Sequence, residues 1–487
     1  ALAVRGLRLL GARNVLFKVP HRVLHGYGLT PGLVDELAQL QPELVITVDS
    51  GIACLPGIAK AKQAGYRVIV TDHHLPGETL PEADAIINPN LPGDAFASKA
   101  LAGVGVMFYL LLAVRQTFRN NGSPGADADL SALLDLVAIG TVADMVKLDA
   151  NNRRLVRAGL ARINQGRCQP GVKALAQISG LVLGKITETD IGFRIGPKIN
   201  AAGRLEDMAL GIECLLADDF SQALDMAESL HSINLQRQEL QQDMLEQADL
   251  ALAEAHSQAD AEEKRARILF GPSWHPGVVG LVASKMKELW HRPVLVFAPS
   301  EPGSDELRGS ARSIPGFHIR DALAHADALH PGLITRFGGH AMAAGLTLSE
   351  GNLARFCEAF ESVAAAWIAP EDLHSVIWTD GPLQRQEFSR ETALAIQAAG
   401  PWGQGFPPPV FDNVFDVVSW QVLKEKHLKL QLRLASSAGR GFISAIQFSG
   451  YHGQPPPERI RAVFELQTND FRDRLDFQCL IRHLEPC

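Results

Sequence analysis

Strand-length apolar runs punctuate the first third of the chain. VLFKV (15–19), LVITV (44–48), RVIVT (67–71) and AIINP (85–89) alternate with segments of helical length. That alternation predicts an α/β layer built on a parallel sheet. The runs at 44 and 67 are apolar nearly throughout, as expected of strands covered on both faces. Ahead of them, ALAVRGLRLL reads as an amphipathic helix, followed by the strand VLFKV. The opening has neither an initiator Met nor a signal peptide and reads as a truncated chain, entered part-way through a helix.

Farther along, residues 131–164 and 173–215 are expected to be mostly helical, with a turn-rich break at GRCQPG (166–171). From Ser221 to Phe270 there is no Gly or Pro, which predicts one or two long connecting helices. ARILFGPSWHPGVVGLVASKMKELWHRPVLVFAP then reads strand, Gly/Pro-rich turn, helix, strand, opening a second α/β unit. After GPWGQGFPPP (400–409) short strands dominate. In HLKLQLRL (427–434) the Leu residues alternate strictly with His427, Lys429, Gln431 and Arg433, predicting a half-buried strand with a basic outer face. The expected domains are residues 1–215, a helical connector at 216–262, then 263–368 and 369–487.

The 487 residues exceed what one core normally organises. With 46% hydrophobic and 21% charged residues, and no apolar run long enough to cross a bilayer, the composition is that of a soluble globular protein and excludes a membrane role. Six scattered cysteines without CxxC spacing suggest neither a disulfide framework nor a cysteine zinc site, and fit a reducing cytoplasm. The net charge of −8 means that any nucleic-acid partner must be met by local basic patches.

Two predicted strands end in acids. LVITV delivers Asp49, and RVIVT delivers Asp72, His73 and His74. Ligands of open parallel sheets gather beyond the carboxyl ends of the strands, so these tips are expected on one rim. His73 and His74 point to opposite faces of an extended strand, and reach one centre only if the chain turns there; Leu75, Pro76 and Gly77 are expected to supply the turn. Mixed carboxylate and imidazole suits Mn²⁺ or a similar divalent ion, and a pair of such ions suits in-line attack on phosphorus. A helix-capping role for Asp49 is the plain alternative. A third acid, Asp144, ends the apolar stretch LVAIGTVAD.

VDSGI (48–52), VTDHHLP (70–76) and GTVADMV (140–146), with NAAGRLED (200–207) and GGHAMAAG (338–345), resemble the motifs of the DHH phosphoesterase superfamily and, within it, of the RecJ family. The resemblance implies a DHH domain, an α/β DHHA1 domain and a C-terminal OB-like β-barrel. It implies a 5′→3′ exonuclease of single-stranded DNA acting in repair and recombination, with a two-metal Mn²⁺ or Mg²⁺ site. Asp49, His73, His74 and Asp144 become metal ligands, with Asp72 a ligand or the group that orients an imidazole. The motif I carboxylates of the family have no counterpart here. A nanoRNase, a small-phosphoester phosphatase and an inactive replication scaffold are the competing readings. A single-stranded-DNA-binding protein and a RecQ-type helicase are the candidate protein partners.

By the same resemblance Arg22, Tyr27, Asn200, Arg204, Ser310, Arg312, Gly339 and His340 are DNA- or phosphate-binding candidates. Arg presents a planar fork to phosphate, and Gly lets backbone N–H groups approach. Arg22 could equally pair at the surface, Arg204 could bridge to Glu206 or Asp207, and GGHAMAAG could serve tight helix packing. Lys424, Lys426, His427, Lys429 and Arg433 suit the charged groove of an OB-fold. Among its aromatics, Phe415, Trp420, Phe442 and Phe448, most are expected in the core.

Overall fold

The computed structural model describes residues 1–20, 28–256, 264–435, 441–471 and 474–487. The chain divides into two compact units. One comprises residues 1–199, 209–228 and 378–487, the other residues 200–208 and 229–377.

The first unit opens with helix α1 (Leu2–Leu9) and helix α2 (Pro31–Leu37). Strands β1 (Leu44–Val48), β2 (Arg67–Thr71) and β3 (Ala85–Ile87) form a parallel sheet in the order β1-β2-β3, with α3 (Leu55–Gln63) as the first crossover. Val68 and Val70 of β2 are fully buried beside Leu33, Val34 and Ile58. Each such side chain gives roughly 1.5–3 kcal/mol on burial. The run at 44 departs from expectation: Leu44 and Val48 are both nearly half exposed, because β1 has a described partner on one side only. VLFKV forms no strand. A strand needs a neighbour for its backbone groups, and here the Val15 carbonyl instead accepts from the Arg8 side chain, with Leu16 exposed.

The helical part follows as α4 (Gly103–Asn121), α5 (Leu134–Ala143), α6 (Ala150–Asn164), α7 (Pro170–Ile178), a single turn α8 (Glu188–Asp190), α9 (Gly196–Leu205) and α10 (Ala209–Leu216). Four consecutive residues of α5, Leu136 to Ile139, are buried, so this helix is covered all round. Glycines let it sit close to its neighbours. A methyl on Gly140 would lie 2.6 Å from Cγ1 of Val104 at the start of α4. Among the described residues, the Gly- and Pro-free stretch carries one helix, α11 (Phe220–His256).

In the second unit, β4 (Arg267–Phe270), α12 (Val279–Trp290), β5 (Val294–Pro299), β6 (Glu306–Arg312), α13 (Ile319–Leu329), β7 (Arg336–Gly339), β8 (Ala343–Ser349) and α14 (Leu353–Trp367) make a five-stranded sheet, order β4-β5-β6-β8-β7, with helices. Only β4 and β5 pair in parallel; the remaining pairs are antiparallel. Residues 294–298 of β5 are wholly buried between two apolar clusters, one drawn from α12 and one from α13 and α14.

The last part of the first unit contains α15 (Arg390–Ala399) and a closed barrel of β9 (Phe411–Leu423), β10 (His427–Leu434), β11 (Ile443–Gln447), β12 (Arg459–Phe471) and β13 (Arg474–Pro486). The alternation in β10 holds, since all four of its Leu side chains enter the barrel core. The aromatics depart from expectation. Phe415 is buried, whereas Trp420, Phe442 and Phe448 are 41%, 58% and 60% exposed. Phe442 and Phe448 flank β11 instead of lying on its inward positions, and Trp420 stacks outside against Tyr451. Phe464 and Phe388 pack beside Phe415 in their place.

Candidate metal centre and phosphate cradle

Register places the two acidic strand ends side by side: Val48 pairs with Thr71, so Asp49 and Asp72 leave adjacent strands. Asp72 is 1% exposed and accepts four hydrogen bonds. Oδ2 takes the Ile52 N–H at 3.0 Å. Oδ1 takes the N–H of His73 at 2.8 Å, that of His74 at 3.1 Å, and lies 2.7 Å from Nδ1 of His74. Burial alone would raise its pKa. The His74 ring and the backbone donors outweigh that and hold it below the ordinary carboxylate value.

These bonds turn the chain. By gathering the two following N–H groups, the Asp72 carboxylate ends the strand and brings the His73 and His74 rings to 4.4 Å between centroids. The turn is therefore made by Asp72, three residues before Leu75, and not by Leu75, Pro76 and Gly77. Asn88 and Asn90, just beyond β3, hold the carbonyls of His74 and His73 at 2.8 and 2.6 Å.

Asp49 adopts the left-handed region, φ 58, which swings its carboxylate back over the strand tips. Gly103 at the head of α4 leaves room for it; a methyl there would sit 2.5 Å from Asp49 Oδ1. Oδ1 lies 2.9 Å from Nε2 of His73, and Oδ2 of Asp144 lies 3.4 Å from the same nitrogen. Asp144 caps the C-terminal end of α5.

Asp49 Oδ1 and His73 Nε2 are both buried, and neither has a hydrogen bond of acceptable geometry despite their closeness. Ligand atoms of Asp49, His73 and His74 all lie within 4.8 Å of one another. Convergent, unsatisfied oxygen and nitrogen atoms are what a divalent cation would complete. The charges agree. Burial and the neighbouring Asp49 push Asp144 up to about 6, against the histidines. Burial opposes protonation of His73, but Asp49 and Asp144 raise its pKa; for His74 the Asp72 hydrogen bond is the leading cause of a raised value.

A second group of predicted residues gathers in the other unit around a cationic centre. Arg312 ends β6 and donates to Ser284 Oγ at 3.0 Å, Ser310 Oγ at 3.0 Å and the Ala311 carbonyl at 2.9 Å. Burial lowers its pKa, and among the described residues no carboxylate pairs with it. A methyl on Gly280, in the first turn of α12, would come 3.1 Å from both Arg312 Nη2 and Ser310 Oγ. Guanidinium, hydroxyls and a helix N-terminus on one spot favour an anion.

GGHAMAAG is the β7–β8 hairpin, not a helix contact. Gly339 takes φ 145, where any side chain would meet Ala343 and Ala344, and His340 at the turn is exposed. Arg312 pairs with Ala343 across β6 and β8, which brings the hairpin beside the cradle. Asn200 is exposed on α9, and Arg204 donates to the Gly277 carbonyl at 3.4 Å. Arg22 and Tyr27, like His21 and His25, lie outside the described residues. Gly280 and Ser284 are not among the predicted residues. The Gly/Pro-rich turn GPSWHPG before an apolar helix is their signal, since such a turn prepares a helix N-terminus for an anion.

A parallel sheet with an Asp-His-His strand end, an accessory α/β unit and a barrel define a DHH-type phosphoesterase architecture. Three family descriptions match in this order: DHH family, N-terminal domain, over residues 1–141; DHHA1 domain over 264–366; and RecJ OB domain over 379–483. Single-stranded-DNA-specific exonuclease RecJ of Dickeya dadantii is 45% identical over 493 residues, covering 100% of this chain and 85% of the relative. The protein of that description from Escherichia coli is 43% identical with the same coverage. The crystal structure of RecJ from Thermus thermophilus in complex with Mn²⁺ superposes with a TM-score of 0.79 at 30% identity, over 99% of this chain and 66% of that one. The chain belongs to the RecJ family of single-stranded-DNA-specific exonucleases.

Proposed function

We infer that this protein is a metal-dependent exonuclease that hydrolyses the phosphodiester bonds of single-stranded DNA from the 5′ end, in DNA repair and recombination. The observation that carries the chemistry is the pair of buried, unsatisfied atoms, Asp49 Oδ1 and His73 Nε2, with His74 beside them. Asp49, His73, His74 and Asp144 would hold two Mn²⁺ or Mg²⁺ ions, and Asp72 acts through His74. Bound there, the metal supplies an acidified water for in-line attack and neutralises charge on the phosphoryl oxygens.

The chain's own part is to present lone pairs and to place the strand. The bond to Asp72 keeps the His74 proton on Nδ1 and leaves Nε2 unprotonated for ligation. His73 binds a cation only through an unprotonated ring nitrogen, and since Asp49 and Asp144 favour its protonated form, loading the site should release protons. Arg312 and Ser310 take a phosphate of the strand, with Asn200, Arg204, Gly339, His340, Arg22 and Tyr27 as further contacts. Exposed Trp420, Phe442 and Phe448 on the barrel offer faces on which unpaired bases stack.

Such an enzyme needs unwound ends, which fits a RecQ-type helicase and a single-stranded-DNA-binding protein as partners. Six free cysteines and a DNA substrate fit work in the cytoplasm. A nanoRNase or small-ester phosphatase would have no use for the barrel, and an inactive scaffold no use for converging ligand atoms.

The test is digestion of 5′-labelled single strands with Mn²⁺. His74→Ala should lower the rate by at least about 10³-fold, three factors of ten at roughly 1.4 kcal/mol each. Label should leave first as the mononucleotide, and a duplex of the same sequence should resist. Undiminished cleavage by the variant, or equal rates on duplex, defeats the proposal.

A further inference from the structure

Asp144 is the one member of the metal-type cluster that no strand delivers. It caps α5, after which the chain reverses through Met145 in the left-handed region, φ 57, and reaches α6 five residues later. Nothing within that short turn fixes the carboxylate. Contacts that hold the backbone of the turn come from either side.

From α6, Asn152 is fully buried and donates to the Lys147 carbonyl at 2.9 Å and the Ala100 carbonyl at 2.7 Å, while Arg153 donates to the Leu148 carbonyl at 3.1 Å. From far along the chain comes the segment at 400–406, which leads into the barrel. The Leu148 N–H donates to the Gln404 carbonyl at 2.7 Å. Gly403 and Gly405 lie so close that methyls there would meet Leu148 at 2.8 Å and Lys147 at 3.2 Å. The Phe406 ring lies 4.0 Å beneath the Arg153 guanidinium and stacks on Trp402 at 4.9 Å.

The segment is itself tied down at both ends. Gly403 and Phe406 exchange backbone hydrogen bonds at 2.9 and 3.0 Å, closing it into a tight loop. The Trp402 N–H donates to Glu188 at 2.9 Å, its indole N–H to the Ile396 carbonyl of α15 at 3.1 Å, and Arg157 reaches the Gly400 carbonyl. Ala393 of α15 is part of the barrel core, and Gln397 bonds Thr468 of β12 at 3.2 Å. A series of contacts therefore runs from barrel to α15, to the loop and to Leu148, four residues along the backbone from Asp144.

We propose that the 400–406 loop is a positioning element for Asp144: the barrel holds the turn after α5 through Gln404 and the Phe406–Arg153 stack, and so sets the metal affinity of the neighbouring centre. The proposal rests on Asp144 being a ligand. Trp402, Gln404, Phe406 and Arg153 touch neither ion nor substrate, and act through the turn.

The test uses Phe406→Ala in the full chain, with amide exchange at Leu148 and Mn²⁺ titration as readouts. Exchange at Leu148 should quicken and Mn²⁺ affinity should fall by up to about tenfold, the low end of what losing a direct partner of a metal ligand costs. Phe406→Tyr, which keeps the ring face, should restore both. If Phe406→Ala does not fold, Arg153→Lys removes the planar stack from a partly exposed position and should shift both readouts the same way. A loosened Leu148 with unchanged Mn²⁺ affinity overturns the proposal, and so does unchanged exchange. Asp144→Ala binding Mn²⁺ like the parent would instead defeat the ligand assignment on which it rests.

Discussion

The two centres of this protein use similar elements to opposite electrostatic ends. In the first unit, strand ends gather Asp49, Asp72, His73 and His74, and burial lifts the pKa of Asp144 to about 6. In the second, a strand end, a helix N-terminus and a hairpin gather around Arg312, whose pKa burial lowers. Each site removes water from a charge and leaves it without a full counter-charge inside the protein. The comparison teaches that sign follows from what the backbone delivers: a carboxylate that turns its own strand invites a cation, and a guanidinium beside helix N–H groups invites an anion.

The contrast can be broken most severely at Asp72. Asp72→Asn keeps the shape but weakens the hold on the His74 proton, and Mn²⁺ affinity should drop by about 10–100-fold. Calorimetric titration of metal measures it, and an unchanged affinity would show that the ring needs no such partner. Acid should act next in size. As a proposed ligand Asp144 would bind a cation as the carboxylate, and its raised pKa means that without a cation it is protonated below about 6. Affinity should be greatest on the alkaline side and fall by at least about tenfold per pH unit below that value, one proton being displaced per ligand. The raised values of His73 and His74 should start the decline earlier.

The cationic side is sharpened by Arg312→Ala. The parent should favour a 5′-phosphorylated over a 5′-hydroxyl strand, and the variant should lose about tenfold of that advantage, since hydrogen bonds to charged groups give roughly 1.5–3 kcal/mol. Arg312→Lys should recover it only in part, lacking the planar fork. Competition between the two strands reads this ratio and is insensitive to the amount of folded protein. The smallest effect belongs to the barrel. Phe442→Ala should weaken binding to long strands about fivefold, at the low end of stacking contributions, while leaving cleavage of dinucleotides unchanged.

Much of the first site is legible in the primary structure, because a parallel strand hands its terminal residue directly to the rim. Asp49 and the Asp72-His73-His74 run needed only strand ends and register. The division of labour within that run was open, since neighbouring residues of a strand face apart until something turns them, and here the turning group is Asp72 itself. Legibility fades where contacts are distant. Nothing local about GPWGQGFPPP announces that Gln404 meets Leu148, and nothing in β-strand spacing tells that Phe442 and Phe448 sit at strand ends facing solvent. VLFKV shows the converse error, a strand-like composition without a neighbour to pair with.

The close approach at Gly103 sets a boundary for anyone reshaping this scaffold. The first residue of α4 has no room for even one carbon beyond the backbone before it strikes the Asp49 carboxylate. Replacement by alanine, ordinarily a gain for a helix, would here push aside a group two strands away in the chain's folded order. Efforts to harden the protein by swapping glycines should therefore spare this position, and libraries meant to retune the proposed ion site could use it as a lever that displaces the Asp49 side chain without touching its chemistry.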